Sequence, residues 1–248
     1  MKTKKPIQRK TARLRGGFSL LEMMVTIAIL ATVLGGVFSQ LNLAVQRQST
    51  EHFKLDDMQE ARDFVDQFFR DVNEIGYPNI RMFDNTTNWL TNPLINDNHV
   101  AVGLVKMDAN EIHFEGDTNG DGNVQSVVYM INGSGSCTLC LQRSQVTKVI
   151  GNPLTGQPPN WGTEVNDVVN ANPIFTYYDK NANQLAVPAD INANPTIIAS
   201  VKVIKISLLI RNPNIKDLQS HLAIETAFEG EVSLNNCSMA AAGQGMSC

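Results

Sequence analysis

The segment RLRGGFSLLEMMVTIAILATVLGGVF, Arg13 to Phe38, constrains this chain more than any other. Its apolar part, Phe18 to Phe38, is 21 residues long and carries a single ionisable side chain, Glu22. As a helix it would measure roughly 32 Å, enough to cross the hydrocarbon core of a bilayer. A secretory signal peptide would have a shorter apolar region with a small-residue cleavage site after it. Before the run, residues 1–17 hold seven basic residues (Lys2, Lys4, Lys5, Arg9, Lys10, Arg13 and Arg15) and no acid. A basic flank of that kind stays on the cytoplasmic side of a membrane.

That leader hides the character of the rest. The 248 residues carry a formal net charge of -4, but outside the leader 13 basic residues face 24 acidic ones, a net of -11. Such an acidic body is a poor candidate for binding nucleic acid by phosphate neutralisation, and no nucleic-acid partner is expected. A hydrophobic content of 43% is enough to build a packed core.

The order of basic leader, Gly16-Gly17, Phe18-Ser19-Leu20-Leu21-Glu22 and apolar helix resembles the type IV prepilin signature. The resemblance implies that a prepilin peptidase cuts between Gly17 and Phe18, that Phe18 becomes the N-methylated N-terminus, and that Glu22 recruits a neighbouring subunit. Elementary electrostatics agrees with the last role. Cleavage leaves a cationic amine at Phe18 inside an apolar layer, and a carboxylate on an adjacent helix attracts it. At about 4 Å and an effective dielectric near 20 the gross attraction is about 4 kcal/mol before desolvation. The competing reading is an ordinary single-span anchor whose Glu22 snorkels to the interface.

The helix is expected to continue past the membrane. No proline occurs from Gln40 to Ile75, and Met58, Ala61, Val65, Phe68, Val72 and Ile75 recur at spacings of 3 and 4. That is one apolar helical stripe, with Asp56, Glu60, Arg62, Asp66, Arg70 and Asp71 largely off it. Gly76-Tyr77-Pro78 ends the pattern. Gly35-Gly36 is a soft point, and Ser39 stands where many major pilins have proline.

Beyond the helix the period changes to that of strands. Residues 79–100, rich in Asn, Thr and Pro, read as a loop. Ala101–Met107, Glu111–Gly116, Val124–Ile131 and Leu141–Ile150 read as strands. A polar stretch from Gly151 to Asn172 reads as a second loop, and Ile174–Tyr178, Ile197–Ile210 and Leu222–Leu234 as further strands. The expected fold class is α+β and pilin-like, with a long N-terminal helix packed on an antiparallel sheet. The expected division is a leader at 1–17, a membrane or filament-core helix at 18–38, its amphipathic continuation at 39–75, and a β-rich head at 76–248. The order of GDTNGDGNVQSVVYMI, VKVIKISLLIR and FEGEVSLNN is similar to that in W-type minor pilins and the related J-type pseudopilins of type II secretion. Many relatives end the last strand in Arg-Asn, where this chain has Asn235-Asn236.

Within the head, Asp117, Asn119 and Asp121 occupy positions 1, 3 and 5 of an EF-hand-like calcium loop, Gly122 position 6, Asn123 position 7 and Gln125 position 9. Position 12 is Val128 rather than a bidentate Glu. The same residues also suit a polar hairpin turn that uses Asn-Gly and Asp-Gly for positive φ. Calcium is the one candidate cofactor. Four cysteines, Cys137, Cys140, Cys237 and Cys248, allow three pairings. The sequence does not choose among them; resemblance to the C-terminal disulfide loop of many pilins implies Cys237–Cys248, with Cys137–Cys140 expected as a small local bridge.

Nothing in the sequence points to an enzyme. His52, His99, His113 and His221 lack metal-ligand spacing, and there is no GxSxG, HExxH or phosphate-binding glycine loop. Trp89 and Trp161 fall in the expected loops. Three functions remain: a minor pilin that starts or caps type IV pilus assembly, a pseudopilin of a type II secretion system, or a pilus-tip adhesin using the loops at 79–100 and 151–172. The partners so implied are a prepilin peptidase, other pilins or pseudopilins and the inner membrane, with the head in the periplasm and later on a pilus or the cell surface.

Overall fold

The computed structural model describes residues 17–78, 98–132, 139–216 and 223–235. It divides into two units, residues 1–49 and 50–248. Helix α1, Leu20–Asn73, supplies the described structure of the first unit and continues into the second. Its interior lacks proline, and its 54 residues include Gly35-Gly36 without a break. It is shorter than the expected Phe18–Ile75 by two residues at each end. Ser19 caps the start, and after Asn73 the chain tightens, with Glu74 N–H donating to Asp71 C=O and Ile75 N–H to Val72 C=O.

In the second unit α1 packs on two antiparallel sheets. The first is built from β1 (Leu104–Met107), β2 (Glu111–Gly116), β3 (Gln125–Ile131), β4 (Leu141–Thr147), β5 (Trp161–Val165) and β7 (Ala189–Asp190), in the order β5-β4-β3-β2-β1-β7. The second joins β6 (Phe175–Tyr178), β8 (Val203–Lys216) and β9 (Ala223–Ser233) in the order β6-β8-β9. A short helix α2, Pro195–Ser200, buries Ile198.

The buried face of α1 carries Ala61, Phe64, Phe68 and Val72, and Ile75 follows it. Phe68 lies edge-on to Tyr129 of β3 at 5.3 Å and stacks on Phe175 of β6 at 5.7 Å, so one helical residue joins both sheets. Phe64 meets the same Tyr129 at 5.7 Å. Each such aromatic side chain removed from water contributes about 2 to 3 kcal/mol of gross stabilisation. The end of β2 approaches the chain just after the helix closely. A Cβ on Gly116 would lie 2.2 Å from the Glu74 carbonyl oxygen, so only glycine permits this approach.

Several sequence-based boundaries change. Residues 195–200 form α2 rather than the start of a strand, because Pro195 sits in the first turn, where its fixed φ favours helix. The expected loop at 151–172 contains β5, an edge strand with a largely exposed middle, and Trp161 begins it. Strand β8 loses register between Arg211 and Lys216, where Pro213 has no N–H to give to the ladder. Residues 79–97, including Trp89, lie outside the described residues.

Candidate functional site

Of the residues that the motif singled out, Gly17 and Phe18 directly precede the start of α1 and Glu22 lies in its first turn, where it meets Ser19. Phe18 is exposed. Ser19 accepts Met23 N–H through its carbonyl at 3.1 Å and Leu21 N–H through Oγ at 3.3 Å. Glu22 Oε2 accepts the Ser19 N–H at 3.3 Å. An acid in the first turn also complements the positive end of the helix dipole.

Behind this turn the apolar surface is continuous. Leu20, Leu21, Met23, Met24, Val25, Ile27, Ile29, Leu30, Val33, Leu34, Val37 and Phe38 are all exposed, and α1 is long and apolar enough to cross a membrane, with none of its apolar window buried within the chain. The two hydroxyls in this stretch are already satisfied. Thr26 Oγ1 donates to Met23 C=O at 2.9 Å, and Thr32 Oγ1 to Ile29 C=O at 2.8 Å. Such back-bonding lets a threonine sit in hydrocarbon without an unpaired polar group.

The family model for the prokaryotic N-terminal methylation motif matches residues 12–38. That motif is typical of type IV prepilin-like proteins. The match covers the end of the leader, Gly17, Phe18, Glu22 and the apolar run. It implies processing by a prepilin peptidase and a pilin assembly context, and the apolar helix suits membrane anchoring of a pilin-type protein. No curated protein matches the chain.

A second constellation, which the sequence did not reveal, centres on Asp71. Placed off the apolar stripe by its charge, it is in fact buried, and three groups converge on it. Arg143 Nη2 of β4 lies 2.6 Å from Oδ2, the Tyr129 hydroxyl donates to Oδ2 at 2.7 Å, and Gln67 Nε2 donates to Oδ1 at 2.6 Å. Burial, and then the Asp71 charge, push the Tyr129 phenol well above its ordinary range, so the hydroxyl remains a donor. Burial likewise raises the Glu164 carboxyl of β5. The cluster ties helix to sheet, and its sequence signal was faint: Gln67 and Asp71 stand four apart, each just before a buried apolar residue, Phe68 and Val72, and their partner Arg143 is far along the chain.

A third feature is the buried pair of Lys148 and Glu115, whose Nζ and Oε2 are 2.7 Å apart with neither side chain exposed. Val102 N–H also donates to Glu115 Oε2, and Lys148 Nζ donates to the Val100 carbonyl. The pair thereby stitches residues 100–102 to the sheet.

The candidate calcium residues do come together, in the turn between β2 and β3. Gly120 and Gly122 take φ of 71° and 84°. Asp117 accepts the N–H groups of Asp121 and Gly122 at 3.1 and 3.0 Å, and Asp121 accepts that of Asn123 at 2.8 Å. Asn119 Nδ2 donates to Asp121 Oδ2, and Gln125 Nε2 to the Asn123 carbonyl. The Asn123 N–H, followed by the Asn119 amide, holds the Asp121 carboxyl below its usual range. Val128 lies within β3, and among the described residues no group of three or more His, Cys, Asp or Glu side chains is placed to hold a metal ion. Cys140 is disulfide-bonded, whereas Cys137, Cys237 and Cys248 lie outside the described residues.

Proposed function

We propose that this chain is a minor pilin: a subunit stored in the inner membrane through residues 18–38, cut between Gly17 and Phe18, and drawn into a type IV pilus, where it helps to start or cap assembly. The observation that carries this reading is the methylation motif joined to an apolar helical surface that its own chain leaves uncovered. A surface of that extent needs a bilayer, then the helices of other subunits, to cover it. Residues 39–75 then continue the helix, and residues 76–248 form a head that faces the periplasm before export to a pilus or the cell surface. The partners are the prepilin peptidase and other pilins, and the chemistry is association rather than turnover.

A pseudopilin of a type II secretion system is the second reading. It shares the motif and the long helix, and the unbroken course of α1 through residues 35–39 leaves the subfamily open. Deleting the protein in its own host separates the two. Loss of surface pili with enzyme secretion intact is the expected result. Loss of secretion with pili intact moves the chain to the pseudopilins, and loss of neither overturns both assembly roles.

A further inference from the structure

The turn between β2 and β3 contains two pairs with the same chemical weakness, Asn119-Gly120 and Asp121-Gly122. In each, the glycine nitrogen can close a five-membered ring onto the side-chain carbonyl carbon of the residue before it, and glycine lacks the Cβ that elsewhere screens that nitrogen. The structure treats the two pairs differently. Gly122 N–H is held by Asp117 Oδ2 at 3.0 Å, and the Asp121 carboxylate takes the Asn123 N–H at 2.8 Å and Asn119 Nδ2 at 2.9 Å. Those bonds, the Asn123 N–H first among them, keep the Asp121 carboxyl in its charged form, which a nitrogen does not readily attack. Asn119 and Gly120 are both exposed, and the side-chain acceptors of the turn serve the N–H groups of Asp121, Gly122 and Asn123 rather than that of Gly120. A Cβ at Gly120 would meet nothing within 4 Å, so the space beside it is open. Asn119 Oδ1 accepts the Asp121 N–H at 3.3 Å, two residues on. That turn folds the side-chain amide back over the peptide leading to Gly120, and the bonded N–H draws electron density from the amide carbon.

We propose that Asn119 is a site of spontaneous deamidation in the folded head, with water as the only co-reactant. The Gly120 nitrogen, its proton lost to solvent base, attacks Asn119 Cγ. The N–Cγ bond forms, the Cγ–Nδ2 bond breaks, and Nδ2 leaves as ammonia with a proton taken from water. Water then opens the succinimide at either carbonyl, giving aspartate where the new N–Cγ bond breaks and isoaspartate where the original peptide C–N bond breaks. Nothing is oxidised or reduced. Either product puts a negative charge where Asn119 Nδ2 donates to Asp121 Oδ2, so that two like charges replace a hydrogen bond. Isoaspartate also adds a methylene to the backbone where Asp117 gathers the N–H groups of Asp121 and Gly122.

The test incubates the full-length, detergent-solubilised protein in mildly acidic and mildly alkaline buffer, folded and in urea. Each asparagine is followed by peptide mass spectrometry, with fragment ions separating Asn119 from Asn132, which also precedes a glycine. The expected result for the folded protein is the mass gain of an amide NH2 becoming OH at Asn119, faster in the alkaline buffer and with isoaspartate among the products. Asp121 is expected to keep its ordinary linkage. Asn119→Gln, whose longer side chain cannot close the five-membered ring, and Gly120→Ala, which screens the nitrogen, are each expected to lose the gain while circular dichroism shows them folded. Conversion of Asn119 in urea but not in the folded protein would show that the turn shields the amide, and overturns the proposal. An unchanged Asn119 in both samples overturns it as well, as does isoaspartate forming at Asp121 as fast as Asn119 converts. Asn119→Asp, which carries the ordinary-linkage product, is expected to lower the melting temperature; unchanged melting would overturn the cost assigned to the new charge.

Discussion

Individual side chains carry the sharpest expectations. Asp71 serves Arg143, Tyr129 and Gln67 at once. Asp71→Ala strands a half-buried guanidinium and a buried phenol, and is expected to cost about 3 kcal/mol in urea unfolding of the detergent-solubilised protein. A loss below about 1 kcal/mol would show that the network is dispensable. His113 sets a pH limit. It is buried, its Nε2 lies 2.8 Å from Ser126 Oγ, and burial, with the Lys106 charge second, lowers its pKa from 6.5 to about 4. Because the folded value is the depressed one, its contribution is fully present above pH 6.5 and is lost as pH falls toward 4. The loss amounts to about 3 kcal/mol. His113→Gln should flatten that part of the stability curve, and an unchanged slope between pH 6.5 and 4 would assign acid sensitivity to other groups. In the β2–β3 turn the carboxylates of Asp117 and Asp121 already serve the loop's own N–H groups. A calcium chelator is therefore expected to leave the melting of the head unchanged, and clear stabilisation by added calcium would favour the calcium reading of the loop. From sequence the turn was legible as two alternatives, since the same Asp and Asn oxygens suit both a cation and the backbone. Asp71 was not legible, because its partners come from β3 and β4 and no local pattern announces them.

Among the elements, α1 was the most readable, because 3.6-residue periodicity and the absence of proline persist over many turns. Its true start lay in Ser19 and Glu22, a capping pair concealed within a processing motif. Strands β2, β3, β6 and β9 fall within a residue of their expected bounds, since each is an apolar or alternating run closed by turn residues. β5 was hidden because an edge strand reading Trp-Gly-Thr-Glu-Val in a proline-rich stretch exposes its middle and lacks the pattern of a core strand. α2 was hidden because Ile197, Ile198 and Val201 merge by composition with the apolar run of β8, and Pro195 was the one local sign of a helix start. The meeting of β2 with the end of α1 offers a test at this scale. Gly116→Ala drives a methyl group into the Glu74 backbone, which cannot rotate away, and should destabilise the head by about 2 kcal/mol or more. Wild-type stability would mean that the helix end can shift to accommodate the methyl.

For the molecule as a whole, chemistry is concentrated at one end of the sequence and packing at the other. The N-terminus supplies the methylation motif with its acid at Glu22 and an uncovered apolar surface. The second unit supplies a core locked by Phe68, Tyr129 and Asp71. This division explains why the family could be read from residues 12–38 while the head could be read mainly as a fold. Such motifs are local and depend on spacing, whereas the packing of the head depends on partners far apart in the chain, such as Asp71 and Tyr129. Glu22→Ala should leave cleavage largely intact and impair incorporation, as an association defect would. The most direct measurement is the N-terminus of the exported protein, determined by peptide mass mapping. An N-methylated Phe18 is the expected result; a leader still attached, or an N-terminus at any other residue, would contradict the account.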